Sequence, residues 1–153
     1  MANDKKLLSL HNFFNLEQSK YVYFLLAASI SSIAFWISRT SNLIINIKQF
    51  YFIHFLLFSS VAFWLLSIIY GISNRKYILS TAYGNIDALL ILDGNHPKSS
   101  NSPETNLAAY EGIMEALSHN GKKAEHCLKL QFLFFCTGVI TFSIWHILQI
   151  LVF

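Results

Sequence analysis

Charge is scarce in this sequence. Only 12% of its 153 residues are Asp, Glu, Lys or Arg, against about one quarter in an average soluble domain. So little charge cannot clothe the surface of a soluble fold of this length, so much of the surface must meet lipid or partner chains. Cysteine is nearly absent as well. The two present, Cys127 and Cys136, stand nine residues apart on what reads as one helix, hence on opposite faces, where they cannot bridge. No disulfide framework and no metal-binding cysteine motif is expected. Nor is there a basic stripe. Between 73 and 129, Arg75, Lys76, Lys98, Lys122, Lys123 and Lys129 are balanced by Asp87, Asp93, Glu104, Glu111, Glu115 and Glu125, which sets nucleic-acid binding aside.

What is abundant is apolar and aromatic, at 54% and 16% of the chain. It is gathered into three runs without any Asp, Glu, Lys or Arg: 21–38, 50–72 and 130–153. A helix needs roughly 20 mostly apolar residues to cross the hydrocarbon core. The expected class is therefore all-α and integral to a membrane, with three transmembrane helices in one domain. The first run ends Trp36-Ile37-Ser38-Arg39 without a small-x-small cleavage site, so it reads as a retained anchor and not a signal peptide.

Lys and Arg near the run ends orient the chain. Lys5, Lys6, Lys20, Arg75, Lys76, Lys122, Lys123 and Lys129 fall on one side, and only Arg39 and Lys48 on the other. The richer side is expected to be cytoplasmic. The N-terminus and 73–129 then lie inside an inner (plasma) membrane, with the loop after the first run and the C-terminus outside. Trp36 and Trp145 fall near the outer boundary, where an aromatic belt is expected, and Trp64 falls deeper, as a packing residue.

The polar stretches are read as helical too. Residues 1–20 form an N-terminal interfacial segment, with Leu7, Leu10, Phe13 and Phe14 on one side of a short helix. Residues 73–129 form a helical hairpin. Its first arm carries the stripe Leu79, Ala82, Ile86 and Leu89 and stops at Asp93-Gly94. A polar turn containing Pro97 follows. Its second arm opens at Ser102-Pro103-Glu104, a cap, a first-turn proline and a first-turn acid. That arm carries Leu107, Tyr110, Met114 and Leu117, and Asn120-Gly121 offers a break before the third run.

Tyr83, Asn85, Asp87, Gly94, His96, Pro97, Trp145 and His146 make a Tyr-x-Asn-x-Asp helix, a Gly-x-His-Pro turn and a Trp-His pair in the last run. Over about half the chain this resembles a family of small three-span bacterial inner-membrane proteins with no assigned activity. The resemblance implies a bacterial inner-membrane setting and no particular chemistry.

Several constellations are candidates for function. His54 and His146 each lie near the outer end of a span and could meet, to ligate a haem or metal or to relay protons. The plainer alternative is that each contacts a neighbouring helix. Glu111, Glu115 and His119 share one helix face, with Asp87 on the opposing arm. Together they could hold a divalent cation, or simply face water, since the Glu-x-x-His element of di-metal bundles is missing. Ala28 and Ser32, with Ala27 and Ser31, form small-xxx-small pairs that allow close helix approach within a protomer or between copies. His96 and Lys98 mark the hairpin loop as a contact surface. No nucleophile triad, phosphate loop or intramembrane charge is found, so no enzyme activity and no cofactor is expected. The leading expectation is a homo-oligomeric scaffold or sensor in the lipid bilayer, meeting a cytosolic protein partner through 73–129. An oligomeric channel or pore, or a haem- or metal-binding subunit, is the alternative.

Overall fold

A computed structural model of the chain describes residues 2–40, 51–97 and 102–152, with side chains over 16–40, 54–97 and 102–151. The described residues are helical and contain no strand. The order is α1 (Ala2–Thr40), α2 (Tyr51–Leu92) and α3 (Pro103–Val152). All three are long and apolar enough to cross a membrane. The interfacial segment expected before the first run is the start of α1, which continues without a break near residue 20. The apolar side chains expected on it, and Lys48 and Lys98, lie outside the described residues.

Local chemistry sets the helix ends. Gly94 takes the left-handed conformation at φ 69°. This lets Gly94 N–H reach the Ile91 carbonyl at 3.1 Å, while the Asn95 and His96 amides both reach the Leu90 carbonyl, at 2.9 and 3.0 Å. The last carbonyls of α2 are thereby satisfied in a Schellman-like closure, and Pro97 prevents any resumption. Helix α3 begins at Pro103, where a missing N–H costs nothing, and the Asn106 amide closes the first turn on the Ser102 carbonyl at 3.2 Å. The expected break at Asn120-Gly121 is not there, because α3 runs straight through both residues. One glycine costs a helix only about 1 kcal/mol, too little to stop one supported on both sides by packed neighbours.

Several hydroxyls inside the apolar runs are absorbed by their own helices. Thr137, Thr141 and Ser143 donate to the carbonyls of Leu133, Thr137 and Val139 at 2.7–2.8 Å. Ser60 does the same to Leu57 at 2.7 Å. Such back-bonding lets Ser and Thr sit among apolar residues without a stranded donor.

The chain divides into two compact units, one of Met1–Gly71 with Leu128–Phe153 and the other of Ile72–Cys127. In the first unit, buried positions recur at alternating spacings of three and four: Val22, Leu25 and Ser29 on α1, and Leu57, Ser60, Trp64, Ser67 and Gly71 on α2. On α3 they recur every seven, at Gln131, Gly138 and Trp145. This 3.5-residue period is that of helices packed knobs-into-holes, as in a left-handed coiled coil. Helix α2 runs antiparallel to α3, so large residues meet small ones layer by layer. Trp145 packs on Leu57. Trp64 seats on Gly138, where an added Cβ would lie 2.6 Å from the indole nitrogen. Gln131 seats on Gly71, where an added Cβ would lie 2.6 Å from the amide nitrogen. The packing role expected for Trp64 is thus found, with 2% of it exposed. Trp145, expected near the outer boundary, is 4% exposed and turned inward onto Leu57.

In the second unit, the arms 72–92 and 103–127 pair antiparallel. Asn74 Nδ2 donates to the Ala124 carbonyl at 2.6 Å. Asn120 Nδ2 donates to Ser80 Oγ at 3.3 Å. Leu117 closes over Gly84, whose missing side chain leaves the room. Lys123 lies 5.6 Å from the Tyr77 ring centre, within cation–π reach. The seam between the arms does not use the apolar stripe of the first arm. Ala88, Ile91, Leu117 and Ala124 are buried. The stripe Leu79, Ala82, Ile86 and Leu89 faces outward, with Tyr83 beside it, and so do Leu107 and Met114. The asparagine contact and the Gly84 hole draw the other side of α2 against α3, leaving the apolar stripe open.

Candidate functional site

Two features stand out once the expected residues are placed: a polar knot inside the first unit and an uncovered apolar seam on the second.

The knot joins all three helices at one level. Ser29 Oγ of α1 donates to Ser67 Oγ of α2 at 3.1 Å, and Ser67 Oγ donates to the Gln131 carbonyl of α3 at 3.0 Å. The Gln131 amide returns to the Val22 carbonyl of α1 at 3.3 Å. Ser29, Ser67 and Gln131 are fully buried. Gln131 Oε1 has no partner, so the knot is one acceptor short of complete. Hydrogen bonds between helices in an apolar setting contribute only about 0.6 kcal/mol on average. The physical role of the knot is therefore register more than strength, since sliding by one residue would strand every member.

Of the residues singled out from sequence, His54 and His146 are not brought together among the described contacts. His54 is half-buried, and its Nδ1 lacks a partner. His146 is exposed, lies 6.5 Å from the Phe142 ring and 6.1 Å from the Trp145 ring, and lines a cavity from which His54 is absent. Asp87, Glu111, Glu115 and His119 are all exposed, and among the described residues no three metal-binding side chains gather. Ala28 and Ser32 are half-buried on the inward side of α1, while Ala27 and Ser31 are exposed. His96 is half-buried in the turn after α2. Cys127 and Cys136 are both free, and burial pushes the Cys127 thiol above its usual pKa.

The uncovered seam is the clearer functional feature. Leu79, Tyr83, Ile86 and Leu89 are each more than half exposed. Leu79, Ala82, Ile86 and Leu89 follow the 3-4-3 spacing of a second interface on a helix already using its other side. Asp87 and Asn85 flank the stripe and are exposed.

Sequence reading missed the knot because Gln131 and Asn74 look like ordinary boundary polars beside an apolar run. A seven-residue count along α3 would have found it, since Leu117, Ala124, Gln131, Gly138 and Trp145 form a single row. Compared with known protein families, curated proteins and solved structures, the chain matches none.

Proposed function

We propose that this chain is a non-enzymatic scaffold of a bacterial inner membrane, of the kind its Gly-x-His-Pro turn and Trp-His pair resemble, and that it assembles through its hairpin. Three apolar helices support the membrane setting. The Lys and Arg asymmetry supports a cytoplasmic N-terminus and hairpin, with the C-terminus outside.

One observation carries the assembly: an apolar 3-4-3 stripe on α2 left open in a segment that carries charges of both signs. In a lipid-facing run such a stripe is ordinary. On the hairpin, beside Arg75, Lys76, Asp87 and Asp93, it faces water, and an exposed contiguous apolar patch marks an interaction surface. The occupant that fits a heptad-spaced stripe best is the same stripe on a second copy, as in a two-fold helix pair. Each Leu or Ile there has about half its area left to bury, worth roughly 1 kcal/mol per side chain. The span residues Ala28 and Ser32 then serve packing within the protomer.

The test is size in mild detergent by light scattering. The unaltered chain is expected to run as an oligomer. Ile86→Glu places a charge at the centre of the stripe and is expected to weaken association roughly 30- to 100-fold, at unchanged helicity. A monomer from the outset, or an oligomer indifferent to Ile86→Glu, overturns the proposal.

A further inference from the structure

Helices α1 and α3 run parallel, and near their C-terminal ends they stand apart enough to leave a crevice in two compartments. The end compartment has a volume of about 370 Å³ and is lined by Phe35, Arg39, Phe142, Trp145, His146, Gln149 and Ile150. The deeper one, also about 370 Å³, is lined by Ser31, Ser32, Phe35, Trp64, Val139, Phe142 and Ser143. They share Phe35 and Phe142, whose rings meet edge to face at 6.0 Å.

The chemistry changes along the crevice. The end compartment holds a guanidinium, an imidazole and a primary amide against aromatic walls, and neither lining includes an Asp or Glu. Arg39 makes no ion pair with a described residue, so a fixed positive charge with five N–H donors stands at the mouth of an apolar slot. The deeper compartment offers hydroxyls among apolar walls, together with Trp64, which is 2% exposed and whose indole N–H has no acceptor. From Arg39 to Ser32 is seven residues of helix, about 10 Å.

We propose that this crevice is a binding site for an anionic phospholipid. The phosphate takes Arg39, with Gln149 and His146 as further donors, in the bidentate geometry a guanidinium favours. The ester level meets the hydroxyls of Ser31 and Ser32 near the unpaired Trp64 N–H. The chain continues over the exposed faces of Val139 and Ile140. A free phosphate would use only the end compartment and leave the deeper one empty, whereas a lipid uses both. A zwitterionic lipid would bring a choline group toward Arg39, which the site has no carboxylate to offset. The inference requires the membrane setting and is independent of assembly through the hairpin.

The experiment uses the full chain in a neutral detergent, titrated separately with phosphatidylglycerol, phosphatidylcholine and inorganic phosphate. Binding is read by native mass spectrometry and by tryptophan fluorescence, to which Trp64 and Trp145 report. Phosphatidylglycerol is expected to bind saturably, one per protomer, and at least about 10-fold tighter than phosphatidylcholine, the ratio one charge-assisted contact supplies. Millimolar phosphate is expected to give no response. Arg39→Gln is expected to remove the preference between the two lipids. Ser143→Phe, on the exposed rim of the deeper compartment, is expected to block both lipids at unchanged helicity. Should that variant misfold, Gln149→Leu tests the head compartment alone and is expected to weaken phosphatidylglycerol only. Equal binding of the two lipids, a response to phosphate matching that to phosphatidylglycerol, or insensitivity to Arg39→Gln would each overturn the assignment.

Discussion

The two units solve the same packing problem with different residues. Each pairs helices by seating a large residue on a small one: Trp64 on Gly138 and Gln131 on Gly71 in the first, Leu117 on Gly84 in the second. Each leaves large apolar side chains outside. Phe24, Phe55 and Ile140 are 65%, 67% and 59% exposed in the first unit, while Tyr83 and Leu89 are each 62% exposed in the second. The proposed membrane placement separates these two sets. Lipid covers the first without any partner, and only another protein surface covers the second. Equal exposure thus carries different meaning on either side of the charged pair Arg75-Lys76.

Breaking the seating in each unit gives the largest effects. Gly138→Val would push an isopropyl group into the space held by the buried Trp64 ring, its Cβ alone lying 2.6 Å from the indole nitrogen. Overpacking of this kind costs roughly 1–3 kcal/mol or more, and here it is expected to abolish a cooperative thermal transition in detergent. Leu117→Ala removes the residue filling the Gly84 hole and is expected to cost roughly 2–4 kcal/mol, read by denaturant unfolding. If proteolysis of the hairpin and of the spans responds to both variants alike, the division into two units fails. Leu79→Ala sharpens the contrast. The side chain is 55% exposed, so unfolding of the protomer should change by less than about 0.5 kcal/mol while association weakens.

Much of this architecture was legible in advance, and the misses share one cause. Three runs free of charge announced three helices, and Asp93-Gly94, Pro97 and Ser102-Pro103 located the turn between the arms, because caps and breakers act through the backbone alone. What the residues could not declare was which side of an amphipathic arm would turn inward. The stripe from Leu79 to Leu89 marks an amphipathic arm by its spacing, and spacing does not say what covers it. The arms meet instead through Asn74, Gly84 and Asn120 together with the buried Ala88, Ile91, Leu117 and Ala124, a seam of mixed polar, small and apolar residues on the other side of α2. Likewise position along the chain places Trp145 near a span end, but says nothing of its direction, which is inward onto Leu57. Spacing along the chain places His54 and His146 each near a span end but cannot say whether two different helices bring them together, and among the described residues they are not.

The smallest effects concern the polar contacts. Gln131→Leu keeps the volume over Gly71 and removes an acceptor that already lacks a partner. Stability should change by no more than about 1 kcal/mol in either direction, because replacing an incompletely satisfied polar group by an apolar one of similar shape is near neutral. The cost should appear in uniqueness of packing instead, as broader amide resonances from α1 and α3. A loss of several kcal/mol would show the knot to be a source of strength and not of register. Cys127, 8% exposed in the hairpin, should react with thiol reagents far more slowly than an unfolded control, since burial both hides the sulfur and raises its pKa. Rapid labelling would mean that the arms separate readily.

The central claim, that the open stripe on α2 pairs with a second copy, is tested most directly by oxidative cross-linking of Ile86→Cys in membranes. The background carries serine at both native cysteines. Asp87→Cys, which is exposed on the same helix about 100° around its axis, serves as control. The account predicts a disulfide-linked dimer from the cysteine at 86, and far less from the cysteine at 87 at equal expression. Equal cross-linking at both positions, or none at 86, would contradict it.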